Sequence, residues 1–140
     1  MSVAPDLRLA LHVPIHPLRR ADPAPVTVVL ANAGSSSVPV NRRMAPGYLD
    51  SISREVYFDV DGEYGRRKYE RNSPDPTDFG PLAPGELISA EIDLLGWYRL
   101  RAAGTYRVRA HYRCDEELAE PPAGTFAGVV DSPTVTVVVI

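Results

Sequence analysis

The chain predicts an all-β fold, an antiparallel sandwich of seven to eight short strands, and three observations predict it. Apolar and polar residues alternate with a period of two over several short runs, as in strands with one buried face. The 14 prolines and 10 glycines are spread between those runs, where they punctuate strands instead of forming a low-complexity tail. Finally, Gly104, Tyr106 and Val108 stand at the entry to one of the longest alternating runs.

That entry is the most informative stretch. Pro84 and Gly85 form a turn, after which Ile88, Ala90, Ile92 and Leu94 share one face while Ser89, Glu91 and Asp93 share the other. A compact connection carrying Trp97, Tyr98 and Leu100 comes next. Alternation then resumes, with Tyr106, Val108, Ala110 and Tyr112 inward and Thr105, Arg107, Arg109, His111 and Arg113 outward. In immunoglobulin-like sandwiches a tyrosine near the start of strand F bonds back to the preceding corner, two residues before an inward core position. Tyr106 and Val108 fit that spacing, and Gly104 suits a tight, positive-φ backbone position.

In chain order, the first strand is expected over 7–13, with Leu7, Leu9, Leu11 and Val13 on one face, ended by Pro14 and Pro17. A second is expected over 26–32, with Val26, Val28 and Leu30 inward. Residues 32–37 read as a turn, 38–41 as a short strand and 42–50 as a loop. The run 55–60 places Val56, Phe58 and Val60 inward, with Tyr57 and Asp59 outward. Asp61-Gly62 is a two-residue hairpin signal. Residues 64–69 offer a return strand inside an otherwise long ordered loop over 63–81. After the strands at 86–94 and 104–113, a loop spans 115–124. The final strand begins at 125–130, breaks at 131–133 and resumes over 134–140. No internal repeat or linker divides the 140 residues, so one domain is expected, long enough to bury roughly two-thirds of its unfolded surface.

Composition excludes several classes. A net charge of −3 supplies no global field toward nucleic acid or acidic membranes. No stretch approaches the roughly 20 apolar residues of a spanning helix. The amino terminus lacks the pattern of a secretory signal, and a single cysteine, Cys114, excludes an internal disulfide framework, so a cytoplasmic protein is expected. Fourteen of the 15 basic residues are arginine. A coding bias towards GC-rich codons accounts for this, and arginine-rich recognition is the sharper alternative.

The chemistry-bearing residues nominate no catalyst, metal or cofactor. His12 and His16 are four apart but flank Pro14 at a strand end, so no helical turn holds them together as ligands. His111, read as outward between Arg109 and Arg113, has positive neighbours and no anionic co-ligand. Asp59-Val60-Asp61-Gly62 mimics part of a calcium loop, but Tyr57 and Lys68 stand where that loop needs acids. Acidic residues after Cys114 disfavour its thiolate. No nucleophile elbow and no phosphate-cradling glycine loop is present.

Three surface features remain. The segment from Tyr64 to Arg71 joins positive charges to tyrosines, suited to phosphate or RNA, or simply to deterring strand addition at a hairpin edge. The outward row Arg107, Arg109 and Arg113 is either a contact surface or is paired with Asp59 and Glu55 on a neighbouring strand. The acidic loop 115–122 exposes Leu118 among Glu116 and Glu117, which suits an apolar anchor with an electrostatically guided approach, or a tolerated insertion.

Leu82, Pro84, Gly85, Glu86, Asp93, Leu94, Tyr98, Leu100, Gly104, Tyr106 and Val108 together form a pattern. It resembles the N-terminal immunoglobulin-like domain of deuterolysin-like and peptidyl-lysine zinc metallopeptidases, the aspzincins. Weaker echoes lie at 28–32, 58–62 and 130–137. Those peptidases need a His-Glu-x-x-His helix, which the three histidines of this chain do not form. The resemblance therefore implies a detached immunoglobulin-like module without the catalytic domain. The expected function is a non-enzymatic protein-binding module, an inhibitor or chaperone-like accessory of an enzyme partner. Its expected surface is Arg107, Arg109, Arg113, Glu116, Glu117 and Leu118. The competing class is an enzyme or small-ligand binder with a site in the 42–50 and 63–81 loops. A third is a structural protomer of a homo-oligomer.

Overall fold

The computed structural model describes residues 5–51, 54–65, 73–100, 102–114 and 121–140, and nine strands form among them. They are β1 (Leu7–His12), β2 (Pro25–Asn32), β3 (Val38–Asn41), β4 (Val56–Val60), β5 (Phe79–Leu82), β6 (Leu87–Asp93), β7 (Gly104–Cys114), β8 (Gly128–Asp131) and β9 (Val135–Val139). One sheet has the order β1-β2-β6; the other is built on β7, which pairs with β4 on one side and with β8 and β9 on the other. A two-stranded ribbon joins β3 to β5. All these ladders are antiparallel. Because β8 and β9 pair with successive parts of β7, they act as one final strand interrupted at 132–134, one residue later than the break expected at 131–133. The fold is an all-β sandwich.

The core lies between the sheets, and the inward residues are those the alternation selects. Val26, Val28 and Leu30 of β2 face Val56 and Phe58 of β4 and Val108, Ala110 and Tyr112 of β7 in one buried cluster. The hydroxyl of Tyr112 would be stranded there, and it donates to the Asn41 carbonyl at 2.7 Å, tying β7 to β3. Burial pushes that hydroxyl well above the ordinary tyrosine range. At the corner, Tyr106 donates to the Ala102 carbonyl at 2.7 Å, four residues back, as expected for a tyrosine corner. Asp61 and Gly62 adopt φ of 50° and 83°, the paired positive values of a two-residue hairpin turn, and Val60 and Glu63 exchange both backbone hydrogen bonds across it.

Four expectations need correction. The 63–81 loop ends in a 3-10 turn at Pro76–Asp78 and in β5, whose Gly80 and Pro81 hide a strand from a propensity reading. Leu94–Trp97 (α1) is a helical turn within the corner, stopped as the chain extends again at Tyr98. Residues 125–127 are not strand, and β8 starts at Gly128. Tyr57, Asp59 and His111, expected outward, are buried, because neighbouring segments of the chain close over their face of the sheet. Residues 66–69 of the suggested return strand lie outside the described residues.

Candidate functional site

β4 is buried along its whole length, on both faces. The alternation correctly turns Tyr57 and Asp59 away from the sandwich core, but the chain covers them. Beyond the hairpin, Tyr64 folds back to lie 6.0 Å from the Tyr57 ring and 5.6 Å from His111. From the other end, the buried Arg54 guanidinium sits 4.9 Å over the Tyr57 ring while bonding the Tyr48 and Leu49 carbonyls. Burial raises the Tyr57 hydroxyl above its ordinary range, with Arg54 pulling the other way.

Beneath this cover lies a charged cluster. Register pairs Asp59 with Arg109 and Tyr57 with His111. The His111 side chain is 3% exposed and stacks on Tyr57 at 4.8 Å. Its Nε2 lies 2.7 Å from Asp59 Oδ2, and its Nδ1 lies 2.6 Å from Asp131 Oδ1 at the end of β8. Arg109 Nε donates to the same Asp59 oxygen at 3.1 Å. That bond, with the carboxylate's charge, holds the guanidinium above its usual range. Three strands are thus joined by one ring. Both His111 nitrogens are committed to carboxylates on opposite sides, so no open ring nitrogen remains to ligate a metal or move a substrate proton. Among the described residues no group of three His, Cys, Asp or Glu is placed to hold a metal ion.

The nominated residues separate accordingly. Arg107 is exposed, and its amide donates to Asp61 Oδ1 at 2.8 Å. Arg109 is half-buried on Asp59, and Arg113 is half-buried with its amide on the Glu55 carbonyl. The internal pairing with Asp59 is the arrangement found for Arg109. Glu55 is taken instead by a bidentate bond from Arg43 at 2.6 and 2.8 Å. The three arginines therefore do not form one uniform contact row. Glu116, Glu117 and Leu118 lie outside the described residues. Sequence reasoning missed the Asp59–His111–Asp131 cluster. The parity that places Asp59 and His111 on one face was legible, but pairing β4 with β7 was needed to bring them together.

A cleft lies elsewhere, at the end of the sandwich, and holds about 680 Å³. Tyr48, Trp97, Tyr98 and Tyr106 line it with Leu100, and Asp61, Glu63 and Arg99 carry charge at its edges. Its aromatic wall is cross-braced. Tyr48 meets Trp97 and Tyr98 edge-on at 5.4 and 5.6 Å, and its hydroxyl donates to the Trp97 carbonyl. Tyr98 donates to the Phe58 carbonyl at 2.5 Å, and burial pushes its hydroxyl well up. Gly65, at φ 75°, lets the 63–65 backbone approach this wall, since a Cβ there would meet the Tyr48 ring at 2.8 Å. The 42–50 loop gives the cleft Tyr48 and the 63–81 loop gives it Glu63 and Gly65, while the rest of its lining comes from the hairpin, the corner and β7.

No protein-family model matches this chain, and no curated protein matches it. Among solved structures, the chain is similar to the CARDB domain of a Pyrococcus furiosus protein, a domain crystallised in complex with di-metal ions. The two share 19% identity at a TM-score of 0.49, over 96% of this chain and 93% of that one.

Proposed function

We propose that this domain is a non-catalytic protein-binding module that receives a segment of a partner in the end cleft. One observation carries the reading: the cleft and the Asp59–His111–Asp131 cluster do not coincide. The cleft has an aromatic wall, and its described lining holds no serine, cysteine or histidine. The histidine with carboxylate partners is buried and spent on internal hydrogen bonds. A rigid aromatic wall rimmed by charge suits an apolar or aromatic anchor side chain next to a charged one. An enzyme that it escorts or inhibits, as the aspzincin resemblance implies, is the partner class this reading favours.

A second reading, a small-ligand site in the same cleft, is favoured by its volume, which lies within the range of ligand pockets. Selection from a displayed peptide library separates the two, with the intact domain and a Leu100→Arg variant run in parallel. Peptides enriched by the intact domain and lost with the variant support the module. No peptide enrichment, with a thermal shift from a small-molecule panel that Leu100→Arg abolishes, overturns it in favour of the ligand site.

A further inference from the structure

His111 meets two carboxylates at once, and that fixes how many protons the cluster holds. Its Nε2 lies 2.7 Å from Asp59 Oδ2, and its Nδ1 lies 2.6 Å from Asp131 Oδ1. A neutral imidazole has one N–H and one lone pair, whereas an ionised carboxylate only accepts. A neutral ring in this place would set its lone pair against an acceptor oxygen at hydrogen-bond distance. Two such contacts require two donated protons. The second proton belongs on the ring, because imidazole is a stronger base than a carboxylate by about two pH units. Asp59 also accepts from Arg109 at 3.1 Å, and the Asp131 side chain is 54% open to water, so neither carboxylate is starved of donors.

The groups around the ring fit that count. Among the described residues, β4 brings Asp59, β8 brings Asp131 and β7 brings Arg109, so a charged ring balances two carboxylates with two cations. Tyr57 and Tyr64 offer ring faces at 4.8 and 5.6 Å, which suit a cation. Glu55, just before β4, is spent on Arg43. Arg54 over the Tyr57 ring and the half-buried Arg113 are positive and oppose the charged ring, but both of its nitrogens point at carboxylates. We propose that His111 is a proton-operated latch on the covered face. Charged, it donates to Asp59 and Asp131 together. When the second proton leaves, one contact has to break, and it is the one to Asp131. Asp59 is 9% exposed and held by Arg109, whereas Asp131 can swing into water. The neutral ring then keeps its proton on Nε2, and the end of β8 gains an uncompensated negative charge. The backbone stays in place, because the Ser132 amide donates to the Ala110 carbonyl at 2.9 Å. The latch does not involve the cleft.

Nitrogen-15 NMR of the histidine rings in the full chain reads the proton count directly. At a pH of about 7.5 a free imidazole is about nine-tenths neutral. There His111 should still show two ring N–H groups, with the exposed His12 and His16 as references in the same spectrum. Raising the pH should convert His111 to the Nε2–H tautomer, and the side-chain carboxyl carbon of Asp131 should shift in the same step. Asp131→Asn should make the ring neutral already at the lower pH, because an amide can donate to Nδ1 where a carboxylate cannot. Retained circular dichroism establishes that the variant folds, and the unaltered chain carries the first two readings without it. A singly protonated His111 in the unaltered chain at the lower pH overturns the proposal. So do two ring N–H groups that survive Asp131→Asn, and so does an Asp131 signal that stays still while the ring loses its proton.

Discussion

The two sheets obey the same alternation and meet different fates on their outer faces. In the β1-β2-β6 sheet, the outward residues Arg8, His12, Ser89 and Glu91 are exposed, as a period of two implies. In the β7-centred sheet, the outward residues Tyr57, Asp59 and His111 are as buried as the core. Alternation fixes which side of a strand a residue occupies; it does not decide whether that side meets water. The difference lies in the segments that flank the strands. Arg54 and Tyr64, at either end of β4, fold over its outer face, and the end of β8 brings Asp131 to His111. A second, polar core results, held by charge and ring stacking where the first is held by apolar burial.

The sharpest way to break this comparison is to remove Asp59, the carboxylate shared by His111 and Arg109. Asp59→Ala leaves a buried imidazole facing only one of its two carboxylates. Breaking a buried pair from one side costs about 3–5 kcal/mol. Asp131→Ala should cost far less, about 1 kcal/mol, because that side chain is 54% exposed and water can take its place. Urea unfolding of the two variants measures both. Equal losses would mean that the cluster is not a buried one.

Equivalent outward positions on the two sheets give the next test. Tyr57→Ala removes a ring packed against Arg54, Tyr64 and His111, and should cost about 3 kcal/mol. Val29→Ala, outward in the middle of the other sheet, should cost less than about 1 kcal/mol. Thermal or urea unfolding of both variants compares the covered face with the open one directly. Similar values would erase the distinction between the faces.

Much of the fold was legible because it rests on local rules: alternation for β1, β2, β4, β6 and β7, the Asp61-Gly62 turn, and the tyrosine corner. What stayed illegible depends on contacts between distant residues. β5 pairs with β3 through a Gly-Pro pair that no propensity favours. His111 acquires its partners from Asp59, 52 positions away, and Asp131, 20 away, on two other strands. The cleft draws Tyr48 from the 42–50 loop and Glu63 and Gly65 from the 63–81 loop, but most of its lining comes from the hairpin, the corner and β7. Its aromatic wall was not foreseen, since Trp97 and Tyr98 come to it from the corner and Tyr106 from β7.

The smallest expected effect tests where the cover on β7 ends. Along its outer face Thr105 and Arg107 are exposed, Arg109 is half-buried, His111 is buried and Arg113 is half-buried again. Exposure falls toward His111 because Tyr64 and Tyr57 lie over that point of the strand, while Arg107 sits beyond them, beside the hairpin turn. Arg107→Ala should therefore change stability by no more than about 0.5 kcal/mol, since its amide, not its side chain, makes the bond to Asp61. His111→Ala, two rows along the same face, should exceed it several-fold by leaving Asp59 with Arg109 alone and emptying the covered layer of its ring. A stability scan by urea unfolding through positions 105, 107, 109 and 111 should rise steeply towards 111. A flat profile would show that the second core does not exist as a cooperative unit. A peak at Arg107 would place its boundary nearer the hairpin.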